Sequence, residues 1–286
     1  MIELRDDRGR LLRLRRSPRT LVSLVPSDTY TLLRLGGGGW IVGRTRYCAE
    51  PAALVAAIEV MGGTKDPDLA RIVAARPELV LAGAEENRGA DVEALERAGI
   101  PVLVGSPRTV AQGLAHAARL AQLLPERAAR RRRLLDLARR RVAWQRRRRA
   151  PPVATLVLIW PEPLLAVGPD AFASDMLRLC GARNVLAGSR PPRDAPRYPR
   201  VDLAAIRRRR PELVLLPDEP YAFSDAEAER WRASFAAPAT ARPGSGGAAP
   251  VVARCDGRDL FWYGLRCVEG IERLVALVDA VRAHAA

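Results

Sequence analysis

The chain has 286 residues, of which 48% are hydrophobic, with 47 basic against 32 acidic side chains. That is enough for two domains of ordinary size with real cores, and no run of about 20 apolar residues offers a membrane-spanning helix. The formal net charge of +15 raises a nucleic-acid reading. Every basic residue except Lys65 is arginine, however, which points to a coding bias, and no nucleic-acid-binding motif accompanies it. The arginine runs at 130–133, 139–141, 146–149 and 207–210 fall on predicted helices and read as solvated faces.

In chain order, residues 1–16 read as a charged hairpin turning at Asp7-Arg8-Gly9. The segment has no apolar stretch of the kind a secretory leader carries. A strand over 20–25 precedes Pro26-Ser27-Asp28, where Ser27 or Asp28 can cap the following helix. That helix ends at Gly36. The glycine run 36–39 leads into a strand over 40–42 and not into a helix, which argues against a phosphate-cradling loop. Loops follow at 44–51 and 62–67, then a helix over 90–98, a strand over 101–104 and a helix over 109–124. Pro125 opens a long charged helix to about Arg149 with a narrow apolar stripe of Leu134, Leu135, Ala138 and Val142. About 24 residues at helical rise span roughly 35 Å, the length of a spacer between two domains. The second half runs through a strand over 153–160, an extended segment over 164–167, a helix over 172–179, a Pro/Gly/Ala-rich loop over 236–249, a strand over 251–254 and a terminal helix over 268–281.

The most informative pattern is a repeat. Residues 68–81 read DLARIVAARPELVL and residues 202–215 read DLAAIRRRRPELVL, with ten of fourteen positions identical at an offset of 134. A period this long is not a solenoid unit; it implies two lobes of similar design. Each copy reads as a short helix, a proline stop and a strand apolar on consecutive positions, as in a parallel α/β sheet. Ligands of open α/β sheets sit beyond the carboxyl ends of the strands. The loops GAEENR (83–88) and PDEPY (217–221) thereby become candidate walls of a cleft between lobes. The domains follow as an N-terminal lobe over 1–124, a linking helix over 125–150 and a C-terminal lobe over 151–286.

Cys48, Cys180, Cys255 and Cys267 lack metal-site spacing, and their pairing stays open. His116 and His284 lie on separate helices, and His116 reads as a surface or partly buried helix residue. No nucleophile or metal set accompanies the paired acids Glu85 and Glu86, so no catalytic residue is expected.

The ordered set SLVPS (23–27), VGRTRYCAEP (42–51), GGTKDPDL (62–69), RPELVLAGAEEN (76–87), GARNV (181–185), RPELVLLPDEPY (210–221) and FWYG (261–264) resembles the helical-backbone metal receptors. These are the substrate-binding proteins of ABC importers for vitamin B12 and ferric siderophores, and the cobalamin branch is the most similar. The resemblance implies an α/β protein of two Rossmann-like lobes with parallel-type sheets, joined by one rigid helix. It implies no catalytic cofactor, with cobalamin or another corrinoid as the transported ligand. An ABC permease and ATPase complex would be the partner of a monomeric receptor. Ligand contacts map onto Ser27, Tyr47, Thr64, Lys65, Glu85, Glu86, Asn87, Trp160, Phe172, Tyr221, Trp262 and Tyr263. Flat aromatic faces suit a corrin, and scattered polar groups suit its amides. Alanines at 70 and 204 depart from the acidic docking positions of the family. A ferric siderophore or haem is the alternative ligand, which Arg44, Arg46, Arg88 and Arg266 would suit; an enzyme or metallocluster protein on a similar fold is the alternative class. The resemblance implies an extracytoplasmic protein, whereas the charged first residues leave a cytoplasmic carrier or sensor as the other expectation.

Overall fold

The computed structural model describes residues 1–125, 128–148, 150–188, 196–236 and 249–285. Residues 237–248 of the expected Pro/Gly/Ala-rich loop, and positions 126, 127 and 149 of the expected long helix, lie outside the described residues.

Two strands, β1 (Ile2–Arg5) and β2 (Leu11–Leu14), form the expected antiparallel hairpin. Asp6 accepts the backbone N–H groups of Arg8 and Arg10, which closes the turn. Next come β3 (Leu21–Ser23), α1 (Pro26–Arg34), β4 (Ile41–Arg44), α2 (Ala52–Val55), β5 (Glu59–Val60), α3 (Leu69–Ala74), β6 (Leu79–Gly83), α4 (Gly89–Arg97), β7 (Val102–Gly105) and α5 (Val110–Gln122). Strands β5-β4-β3-β6-β7 lie in that order in one sheet, all parallel. Its core joins Val22, Leu24, Val80, Ala82, Val102 and Val104 to Ile72, Val92 and Leu95. β7 is an edge strand, and the hairpin covers it: Asp7 N–H donates to Val104 O, and Asp7 Oδ2 accepts the Ser106 N–H at 2.7 Å. A covered edge cannot recruit a foreign strand.

The long helix α6 runs Ala128–Gln145. After it come β8 (Val153–Pro161), β9 (Leu164–Ala166), α7 (Phe172–Leu179), β10 (Ala182–Asn184), α8 (Leu203–Arg208), β11 (Leu213–Pro217), α9 (Asp225–Ala236), β12 (Val251–Cys255), α10 (Gly257–Phe261) and α11 (Leu265–Ala285). Strands β10-β8-β11-β12 form a second parallel sheet, with β9 antiparallel on β8. Chain contacts divide the molecule into a first unit, Met1–Arg140 with Tyr263–Arg266, and a second, Arg141–Trp262 with the stretch from Cys267.

The repeat encodes the same local device in both units. Asp68 and Asp202 are N-caps, accepting the N–H of Arg71 and of Ala205. Ile72 and Ile206 are buried. Arg76 and Arg210, just before the prolines, are left-handed at φ 44 and 47. The proline ring bars helical geometry from its predecessor, and both arginines escape to the same rare region. Glu78 and Glu212 then tie the repeat strand to its neighbour. Glu78 accepts the Arg19 N–H at 2.7 Å and Glu212 the Ala154 N–H at 2.6 Å.

Several expectations are corrected. Val25 is the N-cap position of α1, so Ser27 and Asp28 lie inside its first turn and do not cap it. Gly38–Trp40 forms a 3-10 turn before β4, which starts at Ile41. His116 is not at the surface: it is 1% exposed. The arginine runs are not uniformly solvated. Arg131 is buried and donates to Leu124 O, Arg207 donates to Ser234 O, and Arg209 donates to Val185 O. The cysteine pairing left open by the sequence resolves to no disulfide among Cys48, Cys180, Cys255 and Cys267.

Candidate functional site

In the first unit the carboxyl ends of β3, β4, β6 and β7 carry the loops singled out by sequence. Asn87 is a buried brace. Its Oδ1 accepts the Gly83 N–H at 2.8 Å, and its amide donates to Thr64 O at 2.9 Å and to Leu24 O at 3.4 Å. Lys65 donates to Glu85 O, so both residues hold the 62–67 loop against the end of β6. Arg46 grips Asp66 through both terminal nitrogens and lies 5.6 Å from the Tyr47 ring centroid. Tyr47 itself is 55% exposed. Cys48, beneath this loop, is held by the hydroxyls of Thr29 and Thr45, and burial pushes its thiol pKa up.

A buried polar cluster underlies these loops. His116 Nε2 sits 2.9 and 3.0 Å from the two Asp28 oxygens, while Arg119 donates to His116 Nδ1 at 2.8 Å. Because Nδ1 accepts, the ring proton sits on Nε2 and donates to Asp28. Arg119 also pairs with Asp7 at 2.7 Å, which fixes the N-terminal hairpin to the same network. Tyr263 stands edge-on to His116, with ring centroids 5.5 Å apart, and the Ser27 hydroxyl faces its phenol. Burial first, then Asp28 and Glu86, hold the Tyr263 phenol well above its ordinary pKa. Burial, reinforced by the charge of Asp28, pushes the Glu86 carboxyl up to about 7.

Two glycines make the room. Gly83 and Gly105 are partners in the β6–β7 register. A methyl group on Gly83 would lie 2.0 Å from a Glu86 oxygen, and one on Gly105 would lie 2.9 Å from the His116 ring and 3.2 Å from the Tyr263 oxygen. His116, Asp28, Arg119 and this glycine pair were missed in the sequence. Glycine ending two strands of one sheet was the available signal.

The second unit repeats the theme with different chemistry. Trp160, at the end of β8, is 40% exposed. Its ring stands edge-on to Tyr221 at 5.4 Å, and Tyr221 to Phe223 at 4.9 Å. Tyr221 donates to Glu227 at 2.8 Å, and Trp160 Nε1 donates to Glu162 O at 3.0 Å, so both rings are fixed. Glu219, beyond β11, accepts a hydrogen bond from Trp262, and burial pushes its carboxyl up to about 7. It packs over Gly257, where an added methyl would meet Glu219 Cγ at 2.5 Å. Trp262 and Phe172 are buried side chains. The structure thus groups Ser27, Glu86 and Tyr263 in one cluster and Thr64, Lys65, Glu85 and Asn87 in one brace. Trp160 and Tyr221 form an aromatic ladder, with Tyr47 exposed on its loop. Among the described residues no three His, Cys, Asp or Glu side chains are grouped to hold a metal ion.

Both parallel α/β units carry aromatic and carboxyl side chains at their strand ends. The chain belongs to the periplasmic binding protein family, whose model it matches over residues 21–230. It is 26% identical over 201 residues to a vitamin B12-binding protein of Photorhabdus laumondii, covering 70% of this chain and 71% of that one. Among solved structures it is similar to a periplasmic haem-binding protein of Roseiflexus, with a TM-score of 0.73, 18% identity and coverage of 92% and 99%. It is also similar to the periplasmic vitamin B12 binding protein of Vibrio cholerae, with a TM-score of 0.67, 16% identity and coverage of 93% and 98%.

Proposed function

We propose that this chain is a non-catalytic substrate-binding protein for cobalamin or a related corrinoid, which it delivers as a monomer to an ABC permease and its ATPase on the extracytoplasmic side. The observation that carries the reading is the combination of exposed aromatic faces, Tyr47 and Trp160, with the half-buried carboxyls of Glu86 and Glu219 beyond the strand ends. A corrin is flat and decorated with neutral amides, whereas a haem carries two anionic propionates. A carboxyl held well above the ordinary carboxylate range, at about 7, donates a hydrogen bond to an amide carbonyl when protonated and repels a propionate when ionised. The cations that would hold propionates are already engaged: Arg44 with Val55 O, Arg46 with Asp66, and Arg266 with Glu50. The vitamin B12-binding relatives support the same choice.

Haem is the second reading, favoured by the haem-binding proteins of the same fold and by Arg88, which is exposed. Calorimetric titration of the parent, Tyr47→Ala and Trp160→Ala chains with cyanocobalamin, cobinamide, a ferric hydroxamate and haem separates the readings. Tyr47 is more than half exposed, so Tyr47→Ala keeps its melting temperature; Trp160 packs edge-on to Tyr221, so a thermal melt confirms that Trp160→Ala folds. Each loses about tenfold in corrinoid affinity through lost stacking. Saturable heat with haem or the hydroxamate alone would replace the corrinoid reading, and unchanged corrinoid affinity in both variants would remove these residues from the site.

A further inference from the structure

Helix α6 has two faces. One is buried at heptad spacing: Arg131, Leu135, Ala138, Val142 and Gln145. On the outward side, Leu137 and Trp144 are two turns apart at i and i+7. They are 55% and 66% exposed, and among the described large hydrophobic residues only Met1 is more exposed than Trp144. They share that side with Arg130, Arg133 and Arg140, which are exposed and make no ion pair among the described residues. Residues 128–148 hold ten arginines against Asp136 alone, a net charge of +9 (10 − 1). Among the described residues no helix is long and apolar enough to cross a membrane.

We propose that the outward face of α6 is a docking surface for an anionic phospholipid bilayer, with Trp144 and Leu137 seated at the headgroup–acyl boundary and the arginines on lipid phosphates. The chemistry selects this occupant over the others. A second copy of the chain would set the exposed Arg130, Arg133 and Arg140 against the same three arginines. A duplex nucleic acid would engage the arginines through its phosphates but leave the tryptophan and leucine in water. An anionic interface takes both: tryptophan prefers the headgroup level, and apolar residues flanked by arginine are the pattern of helices that lie in the interface plane. Each arginine near such a surface gains attraction that falls off within a Debye length.

The full chain, incubated with vesicles of phosphatidylcholine alone or mixed with phosphatidylglycerol, is to be separated by flotation. It floats with the mixed vesicles, stays behind with phosphatidylcholine, and is released by high salt. Leu137→Ser with Trp144→Ser weakens flotation by about tenfold or more. Arg133→Gln and Arg140→Gln each weaken it about fivefold. Circular dichroism melts confirm that the variants fold. The difference fluorescence between the parent and Trp144→Phe shifts to shorter wavelength on mixed vesicles only. Absence of flotation at low salt, flotation unaffected by the double serine substitution, or DNA binding in place of vesicle binding would each overturn the proposal.

Discussion

Glu86 and Glu219 are carboxyls held well above the ordinary carboxylate range. Each sits at the end of a repeat strand, over a glycine, with its carboxyl pushed from 4.5 to about 7 by burial. The raised pKa means the folded chain binds protons that the unfolded chain releases. The stabilising contribution is therefore fully present below pH 4.5 and is lost as pH rises through about 7. We expect each carboxyl to remove about 2 kcal/mol over that window, allowing for partial solvent screening. Urea unfolding of Glu86→Gln and Glu219→Gln, followed from acid to neutral pH, should show a shallower loss than the parent; parallel curves would mean that neither group is perturbed. Gly105→Ala is a second test, because its methyl would press on the packed His116 ring. A cost of about 1–3 kcal/mol in unfolding free energy is expected, and a neutral result would show that the ring shifts freely. The sequence did not disclose this cluster. His116 lies on a helix whose pattern says which side is apolar, but its partner Asp28 is 88 positions away. Only the parallel order of the sheet brings the two helices together.

At the scale of elements the repeat is the most legible feature, because its physics is local. An aspartate cap, a buried isoleucine, a proline stop and an apolar strand all act within a dozen residues. What it hid was the left-handed arginine, since proline forbids a conformation without naming the alternative. Replacing Arg76 or Arg210 with glycine should leave stability unchanged or raise it by about 0.5–1 kcal/mol. Valine should cost about 1–2 kcal/mol at either position. Chemical denaturation midpoints check this, and equal effects of glycine and valine would show that the conformation carries no strain. Arg131 was misread for a related reason. Composition marks an arginine run as polar, whereas helical periodicity places one of its members on the buried stripe with Leu135, Ala138 and Val142. The α1 start slipped by two positions because Pro26 itself opens the helix, leaving Ser27 and Asp28 for the polar cluster.

For the whole molecule, the α/β class, the parallel sheets and the family were legible from ordered motifs, since strands apolar on consecutive positions have few other uses. The candidate site was legible only in outline. Sequence picked out the strand-end loops but could not separate exposed aromatics, Tyr47 and Trp160, from buried ones, Trp262 and Phe172. Nor could it foresee that Asn87 and Lys65 spend their polar groups bracing a loop. The two clusters also set an expectation for ligand binding. As pH rises through about 7, both carboxyls ionise and cease to donate. Corrinoid affinity should therefore fall several-fold across that range, and Glu219→Gln should blunt the fall. The central claim, that the ligand is a corrinoid, is tested most directly by calorimetric titration of the unaltered chain with cyanocobalamin at neutral pH, with haem run in parallel. The account predicts saturable one-to-one binding of cyanocobalamin, micromolar or tighter, and weaker binding of haem. Saturation by haem with no heat from cyanocobalamin would contradict it.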